Sequence, residues 1–338
     1  MKVAIIGPGA IGRLLAYVLH GGGHTPVLVC RREAQRKAFL EEGLTCFDPE
    51  GVAHHVPVQA VLGNKPLPND VDGVILTVKS YDTAQAGEML RGLRQIPVLS
   101  LQNGLGNGET LAGLVPPQLL ALGLTTHGAM AEGDTRVLYK GRGSTIIGDW
   151  VSATFADTGD ERNCFHEDHE QATTSPASWW KLLFDACGHA ITLTDDIRTE
   201  VWRKAMVNIG INPFTALLGV PNGALLEHPE VLAMMKETVE EAERVASAEG
   251  VHLTNSFSRV IEVCQGTAQN LSSMLQDIRK GRQTEIESLC GVVVELGRRH
   301  RLPTPWNERL YHLVKRLESI GQHLTITDLQ MKKDRLES

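Results

Sequence analysis

The chain has 338 residues, of which 42% are hydrophobic and 22% are charged, and its formal net charge is −7. This length predicts two domains, and the ordinary apolar and charged fractions indicate a globular protein rather than a disordered one. An acidic chain lacks the basic surface that nucleic-acid binding needs, and no apolar run approaches the roughly 20 residues that cross a bilayer. We therefore expect neither a nucleic-acid partner nor a membrane partner.

Cysteine usage indicates a reducing compartment. The six cysteines are scattered without close pairs, which does not fit a disulfide scaffold, and we expect a cytoplasmic protein. Cys164, His166 and His169 form a C-x-H-x-x-H string, but no partner motif completes a four-ligand set. The sequence therefore predicts no metal site.

The first part of the chain alternates strand and helix patterns. Lys2–Ile6 is a short apolar run typical of a buried strand, and residues 11–20 follow with helical spacing until three glycines stop them. Alternating strands and helices favour a parallel-rich sheet, that is, an α/β Rossmann-type domain. Further strands are predicted at residues 26–30, 71–78, 97–101, 118–125, 143–147 and 190–193.

The second part of the chain has a different character. Residues 150–178 are polar and mostly acidic, and we interpret them as a long surface loop or insertion. Beyond residue 196 strand patterns nearly vanish, so the sequence predicts domains at 1–195 and 196–338, the second all-helical and able to offer a homodimer interface. Helical periodicity covers residues 198–218, 231–248, 272–300 and 306–320.

A glycine-rich motif lies between the first strand and the first helix, the context in which G-x-G-x-x-G binds a dinucleotide. The first glycine permits the tight turn, the second lets a pyrophosphate approach the backbone, and the third allows close packing of helix on strand. The helix N-terminus supplies N–H groups for the phosphates. The motif consists of Gly7, Pro8, Gly9, Ala10, Ile11 and Gly12.

The end of the second strand indicates which dinucleotide binds. An NAD enzyme usually has Asp or Glu there to hold the ribose 2′-hydroxyl, whereas this chain has Arg31 and Arg32 after Cys30. Arginine pairs with a 2′-phosphate that a carboxylate would repel. The sequence thus predicts NADP (NADPH), with Arg31 as the preferred contact; the alternative is that both arginines are solvated loop residues.

Several strings together resemble the ketopantoate reductase (2-dehydropantoate 2-reductase) family over nearly the whole chain. They are GPGAIG at the start, TVKSYDT, QNGLGN, TTHGA, WRKAMVNIGINPFTALLG and SSMLQDIRKGRQTEIESLCG, in the order of the family. The resemblance implies a Rossmann domain followed by a helical domain. It also implies reduction of the 2-keto acid ketopantoate to pantoate with NADPH, a step of pantothenate biosynthesis.

The resemblance also implies roles for individual residues. Lys204 would be the catalytic proton donor, and Glu285 would lie near Lys204 and the cofactor ribose. Lys79 and Asn103 would border the nicotinamide half of the cofactor, and Ala129 would touch the cofactor through its backbone. The substrate-binding residues implied by the family are Asn103, Asn208, Asn212, Asn222, Asn270 and Ser273.

The helical spacing gives these roles a physical basis. Lys204, Asn208 and Asn212 are four residues apart and share one helix face among apolar neighbours. Such a stripe either lines a cleft or faces solvent, and the poor helix propensity of Asn favours the cleft. Pro213 is expected to kink or end this helix just after Asn212.

Four alternatives remain open at this level. Ser273 with Gln276 fits a capping box, so Ser273 could cap the helix carrying Glu285 instead of binding substrate, and Glu285 could be an ordinary solvated helix residue. The substrate could be another branched 2-keto acid. The protein could also be a non-catalytic NADPH-binding sensor, although a sensor does not need a proton donor such as Lys204.

Overall fold

A computed structural model describes residues 1–150 and 175–330 of the chain. The chain forms two compact units. Of the described residues, those within Met1–Gln102 and Asn107–Ile197 form the first unit, and the short segment Asn103–Gly106 together with those from Arg198 onward forms the second. The 103–106 segment therefore belongs to the helical unit, although it lies far from the other residues of that unit in sequence.

An eight-stranded sheet forms the centre of the first unit. The strands lie in the order β12-β11-β8-β7-β6-β1-β2-β5, and every neighbouring pair is parallel except β11 with β8. This parallel-rich α/β sheet confirms the predicted fold class of the first domain. The strands are β1 Lys2–Ile6, β2 Thr25–Cys30, β5 Gln59–Leu62, β6 Gly73–Leu76, β7 Val98–Ser100, β8 Leu120–Thr125, β11 Thr145–Asp149 and β12 Ile191–Leu193.

The central strands are apolar along their whole length because helices cover a parallel sheet on its faces. Val3 and Ile5 of β1 and Ile75 of β6 are completely buried, and they share one core with Trp180 and Phe184 from a covering helix. The helices of this unit are α1 Ala10–Gly21, α2 Glu33–Glu42, α3 Thr83–Glu88, α4 Asn107–Ala112 and α5 Pro176–Ala186.

A second sheet of four strands was not predicted. Its order is β4-β3-β10-β9, and α1 packs against it. β4 carries two adjacent histidines, so no apolar run marks it as a strand. The parallel pairing of β3 with β10 joins distant segments, which a local pattern cannot reveal. The strands are β3 Leu44–Phe47, β4 Ala53–Val56, β9 Gly128–Glu132 and β10 Arg136–Gly141.

The predicted surface loop at 150–178 is too long at its C-terminal end. Helix α5 begins at Pro176, and Ser175 caps it by accepting a hydrogen bond from the backbone N–H of Ser178 at 3.3 Å. Proline at the first helical position after a serine cap is a common helix start. Residues 151–174, including the C-x-H-x-x-H string, lie outside the described residues.

The second unit is helical, as predicted. Its core includes completely buried Val239, Met235 and Val314, and within the described ranges no helix is long and apolar enough to cross a membrane. A 3₁₀ helix covers Asn222–Glu227 and a π-helix covers Glu287–Gly291. The α-helices are α6 Ile197–Leu218, α7 Pro229–Ala248, α8 Ser256–Gly266, α9 Ser273–Arg279, α10 Val292–His300, α11 Pro305–Ile320 and α12 Ile326–Gln330.

Pro213 was expected to kink or end helix α6, and the structure shows that it does not end the helix. The helix continues to Leu218. Phe214 and Leu217 beyond the proline are completely buried, and their packing compensates for the backbone hydrogen bond that the proline ring removes. Thr215 Oγ1 donates to the backbone oxygens of Ile211 at 3.1 Å and Asn212 at 3.0 Å. This hydroxyl therefore supplies a hydrogen-bond donor to carbonyl groups next to the proline.

The predicted helix over residues 272–300 is also wrong, because it is divided into three pieces. Gly281 adopts a left-handed conformation with φ +61° and ends α9 after Arg279. An irregular stretch follows, and the π-helix then leads into α10. Glu285 is therefore not on the helix that begins at Ser273, and the N-cap of that helix is Ser272, whose Oγ accepts from Leu275 N at 3.1 Å.

Candidate active site

The glycine turn after β1 requires glycine at two of its three glycine positions. Gly7 has φ +98°, and a Cβ there would lie 2.6 Å from Val78 Cγ1. A Cβ on Gly12 would clash with the Gly7 carbonyl oxygen and approach Thr77 Oγ1 to 2.7 Å. At Gly9, by contrast, a Cβ would meet nothing nearer than the Gly7 oxygen at 4.0 Å. The space above Gly9 is therefore open, as the approach of a pyrophosphate requires.

Helix α1 begins at this turn without a side-chain cap. Gly9 is the N-cap residue, it provides no side-chain hydrogen bond, and the first turn contains no acidic residue. The first N–H groups of an α-helix have no partner within the helix, and the dipole is positive at this end. The turn therefore fits the phosphates of a dinucleotide.

Arg13 holds the glycine turn through hydrogen bonds, a role that the sequence did not predict. Its side chain is only 3% exposed. Nε donates to the Pro8 oxygen at 2.8 Å, and Nη1 donates to the Gly133 oxygen at 3.1 Å and the Arg136 oxygen at 2.6 Å. The guanidinium thus ties the glycine turn to the hairpin of the second sheet. A charged residue within an apolar helical stretch was the one signal available.

The two arginines after β2 differ in their environments. Arg32 forms an ion pair with Asp134. The side chain of Arg31 is 78% exposed, and it forms a long ion pair of 3.5 Å with Asp82. An exposed, loosely paired guanidinium can turn toward a ligand with little loss. The geometry therefore favours Arg31 over Arg32 as a contact for an anionic group.

Lys79 and Ala129 lie on different parts of the first unit. Lys79 follows β6, two residues after Thr77, whose Oγ1 donates to the Gly7 oxygen at 2.6 Å. Lys79 therefore lies two residues along the chain from a side chain that contacts the glycine turn. Ala129 lies in the other sheet, on β9, where it pairs with Tyr139 of β10. Lys79 thus lies just after a strand of the eight-stranded sheet, whereas Ala129 lies within the four-stranded sheet.

A polar cleft lies in the second unit, within helices α6 and α9 and the stretch before the π-helix. The empty space among its lining residues, counted together with the solvent space that opens onto it, is about 270 Å³. Its lining residues are Asn103, Gly104, Asn208, Asn212, Ser273, Met274, Asp277, Glu285 and Leu289.

Lys204 contacts Asn103, one of the residues that line this cleft. Its Nζ donates to Asn103 Oδ1 at 2.8 Å, and it lies one helical turn before Asn208 on α6. Burial lowers the pKa of Lys204 from 10.5 to about 8, and the nearby Glu285 carboxylate acts in the opposite direction and raises it. A desolvated ammonium with a pKa near neutrality is a group that can donate a proton.

The predicted residues divide into those that line the cleft and those that do not. Asn103, Asn208, Asn212, Ser273 and Glu285 all do. Asn222 and Asn270 are not among the lining residues. Their backbones are paired, Asn222 N to the Asn270 oxygen at 3.0 Å, and Asn222 Nδ2 donates to Thr267 Oγ1 at 2.9 Å.

Asp277 is a lining residue that the sequence reasoning missed. It lies one helical turn after Ser273 on α9 and is only 7% exposed. The i, i+4 spacing from Ser273 was the available signal. Met274 and Leu289 add apolar surface to the same cleft. Among residues 1–150 and 175–330, no group of three or more His, Cys, Asp or Glu side chains is arranged to hold a metal ion.

Sequence comparison matches both units to one family. Residues 3–152 match the family described as ketopantoate reductase PanE/ApbA, and residues 196–318 match ketopantoate reductase PanE/ApbA C terminal. The chain is 37% identical over 323 residues to 2-dehydropantoate 2-reductase of Halobacterium salinarum, covering 95% of this chain and 100% of that protein. It is 33% identical over 327 residues to the protein of the same name from Pyrococcus horikoshii, covering 95% and 99%.

Solved structures show the same architecture. A PanE/ApbA family ketopantoate reductase from Ralstonia eutropha superimposes with a TM-score of 0.80 at 29% identity, covering 96% of this chain and 100% of that one. A D-mandelate dehydrogenase with NADH and anilino(oxo)acetate superimposes with a TM-score of 0.81 at 25% identity, covering 94% and 99%. The two family matches and the identity over almost the whole length lead to one conclusion: the chain belongs to the ketopantoate reductase family.

Proposed function

We propose that the protein reduces 2-dehydropantoate to pantoate with NADPH and that Lys204 donates the proton. The observation that carries the proposal is the hydrogen bond of 2.8 Å from Lys204 Nζ to Asn103 Oδ1, beside a cleft lined by amides. The substrate is the one in the names of the Halobacterium and Pyrococcus relatives. Amide and hydroxyl groups beside a partly buried ammonium can bind a keto acid and protonate its carbonyl oxygen.

The first unit would hold the cofactor. NADPH, when bound, supplies the hydride that reduces the keto carbon. The N–H groups at the start of α1 would bind its pyrophosphate over Gly9, where a Cβ would find open space. Arg31 would pair with the 2′-phosphate, for which its 78% exposure leaves it available. These residues bind and orient the cofactor and take no part in the proton transfer.

Lys204 would stabilise the substrate oxygen. As hydride reaches the carbonyl carbon, negative charge develops on the oxygen, and an ammonium within hydrogen-bond distance stabilises this charge and then transfers its proton. A pKa of about 8 keeps the amine mostly protonated at neutral pH while making the proton easier to give than that of an ordinary lysine. Asn103 Oδ1 accepts one N–H of the ammonium and fixes its direction.

The other lining residues would bind the rest of the substrate. Asn208, Asn212 and Ser273 present amide and hydroxyl donors that suit a substrate carboxylate. Met274 and Leu289 offer apolar contact for a branched carbon chain. Glu285 would maintain the charge of Lys204, since its carboxylate raises the pKa of that ammonium.

A substrate and cofactor panel tests the proposal. Purified protein is given 2-dehydropantoate, other branched 2-keto acids and phenylglyoxylate, each with NADPH or NADH, and nicotinamide absorbance is followed. We expect the highest kcat/KM with 2-dehydropantoate and NADPH. The similarity to D-mandelate dehydrogenase with NADH makes an aromatic 2-keto acid with NADH the rival outcome. Tight NADPH binding without turnover of any keto acid would instead indicate a sensor.

A further inference from the structure

We propose that Glu318 on α11 is a positioning residue for the reduction, acting through Thr284 on the segment that carries Glu285 and supports Asn103. This inference rests on the proposed function, because Glu285 and Asn103 matter only as the neighbours of Lys204. Glu318 itself does not line the cleft. Its influence would pass through hydrogen bonds of the 284–288 segment.

The first part of the segment, residues 284–286, needs an external anchor because it lies between two helices and outside both. Glu285 follows the end of α9 at Arg279 and precedes the π-helix, which begins at Glu287. Thr284 is only 1% exposed. Its backbone N–H donates to Glu318 Oε1 at 2.8 Å, and its Oγ1 donates to the same oxygen at 2.6 Å. One carboxylate oxygen thus fixes both the backbone and the side chain of the residue directly before Glu285.

Glu318 is well placed to act as this anchor. Its side chain is 13% exposed, and its second oxygen pairs with Lys315 Nζ at 3.1 Å. A hydrogen bond that a carboxylate accepts is about twice as strong as a hydrogen bond between two neutral groups. The helix beneath it is fixed by Val314 and Leu317, which are 0% and 2% exposed. A rigid helix therefore holds the carboxylate that holds Thr284.

The far end of the segment contacts the other partner of Lys204. Ser288 Oγ donates to the Glu285 oxygen at 3.0 Å, and the Ser288 oxygen accepts from Leu105 N at 2.7 Å. Gly104 packs so closely on this residue that a Cβ there would lie 2.7 Å from Ser288 Cβ. Asn103 is the next residue toward the N-terminus. A displacement of the 284–288 segment would therefore move both Glu285 and Asn103 relative to the ammonium.

Matched variants separate positioning from charge and from general stability. Glu318→Ala removes the acceptor, whereas Glu318→Gln keeps an oxygen that can accept both Thr284 donors but carries no charge. Thr284→Val keeps the buried shape and loses the hydroxyl, and Thr284→Ser restores it. Glu308→Gln is the control on the same helix, since Glu308 pairs with Arg298 at 2.6 Å rather than with this segment.

Two measurements are made on each folded variant. The first is steady-state kinetics, in which we expect Glu318→Ala and Thr284→Val to lower kcat roughly 10- to 100-fold, the scale of a misplaced catalytic group, with the KM for NADPH unchanged. The second is the titration of the Lys204 amine by competitive labelling and peptide mass spectrometry. Its midpoint should move to lower pH in both variants, because the Glu285 carboxylate that raises this pKa is no longer held.

The outcomes are decisive in each direction. Retention of the wild-type kcat and Lys204 midpoint in Glu318→Gln and Thr284→Ser supports positioning. Equal shifts in Glu318→Gln and Glu318→Ala would assign the effect to charge and overturn the proposal, as would wild-type behaviour of folded Thr284→Val or an equal loss in Glu308→Gln. The titration requires no turnover, so a wrong substrate assignment leaves this test intact.

Discussion

Lys204 and Asn103 are 101 residues apart in the sequence, and the Lys204 ammonium donates a hydrogen bond to Asn103 Oδ1 at 2.8 Å. Asn103 reaches this position because the short segment Asn103–Gly106 packs with the helical unit. Leu105 anchors that segment, being 5% exposed and donating its N–H to the Ser288 oxygen at 2.7 Å. The pair therefore combines a helix residue with a loop residue that is fixed independently.

Removal of the acceptor in this pair should impair catalysis more than binding. In Asn103→Ala the ammonium loses the oxygen that directs it, so we expect kcat to fall roughly 10- to 100-fold because the donor is misplaced. In a double-mutant cycle with Lys204→Ala the effects should be far less than additive, since both changes remove one unit. Additive losses would show that Asn103 acts independently of Lys204.

The rate should depend on the protonation state of Lys204. Burial lowers the pKa of this lysine to about 8, so the reductive kcat/KM is expected to be level at lower pH and to fall as pH rises through about 8, where the donor becomes a neutral amine. The removal of negative charge in Glu285→Gln should move the midpoint to lower pH. A wild-type profile that stays level well above pH 8 would contradict the assignment of this group.

The glycine turn predicts different effects for two similar substitutions. Gly9→Ala should leave thermal stability unchanged, since the new Cβ meets no atom nearer than 4.0 Å, yet it should weaken NADPH binding by occupying the space above the turn. Gly12→Ala, in contrast, should destabilise the fold by about 1–3 kcal/mol, because the new Cβ clashes with the turn. Thermal unfolding and cofactor titration measure both. Normal NADPH affinity in Gly9→Ala would argue against this cofactor site.

Arg31 should determine the choice between the two nicotinamide cofactors. Arg31→Ala is expected to raise the KM for NADPH roughly 10-fold, about 1.5 kcal/mol for a lost charged hydrogen bond, and to leave the KM for NADH unchanged. Arg32→Ala is the matched control, because Arg32 is already paired with Asp134. If Arg32→Ala had the larger effect on NADPH, the contact would belong to the other arginine.

Local patterns were sufficient for the elements whose signal lies within one segment. β1 and α1 follow from an apolar run, three glycines and helical spacing, and Lys204, Asn208 and Asn212 share a face by spacing alone. The four-stranded sheet could not be predicted from the sequence, because β3 and β10 are far apart in the chain and no local hydrophobic pattern shows that they pair.

The remaining errors had tertiary causes. Buried Phe214 and Leu217 allow α6 to continue past Pro213, and the left-handed Gly281 divides a stretch whose periodicity predicted one helix. Arg13 escaped notice for a similar reason, since its partners are backbone oxygens brought to it by the fold. The packing of distant segments decided each case.

Chemical rescue of Lys204→Ala tests the central claim, that the Lys204 ammonium donates the proton, most directly. We expect kcat to fall about 10²–10⁴-fold, the contribution of a positioned general acid, while NADPH binding persists and Lys236→Ala, an exposed lysine of the same unit, stays fully active. Added methylammonium should restore part of the rate in proportion to its concentration, whereas tetramethylammonium, which has no proton to give, should not. Undiminished turnover by Lys204→Ala without any added amine would contradict the account.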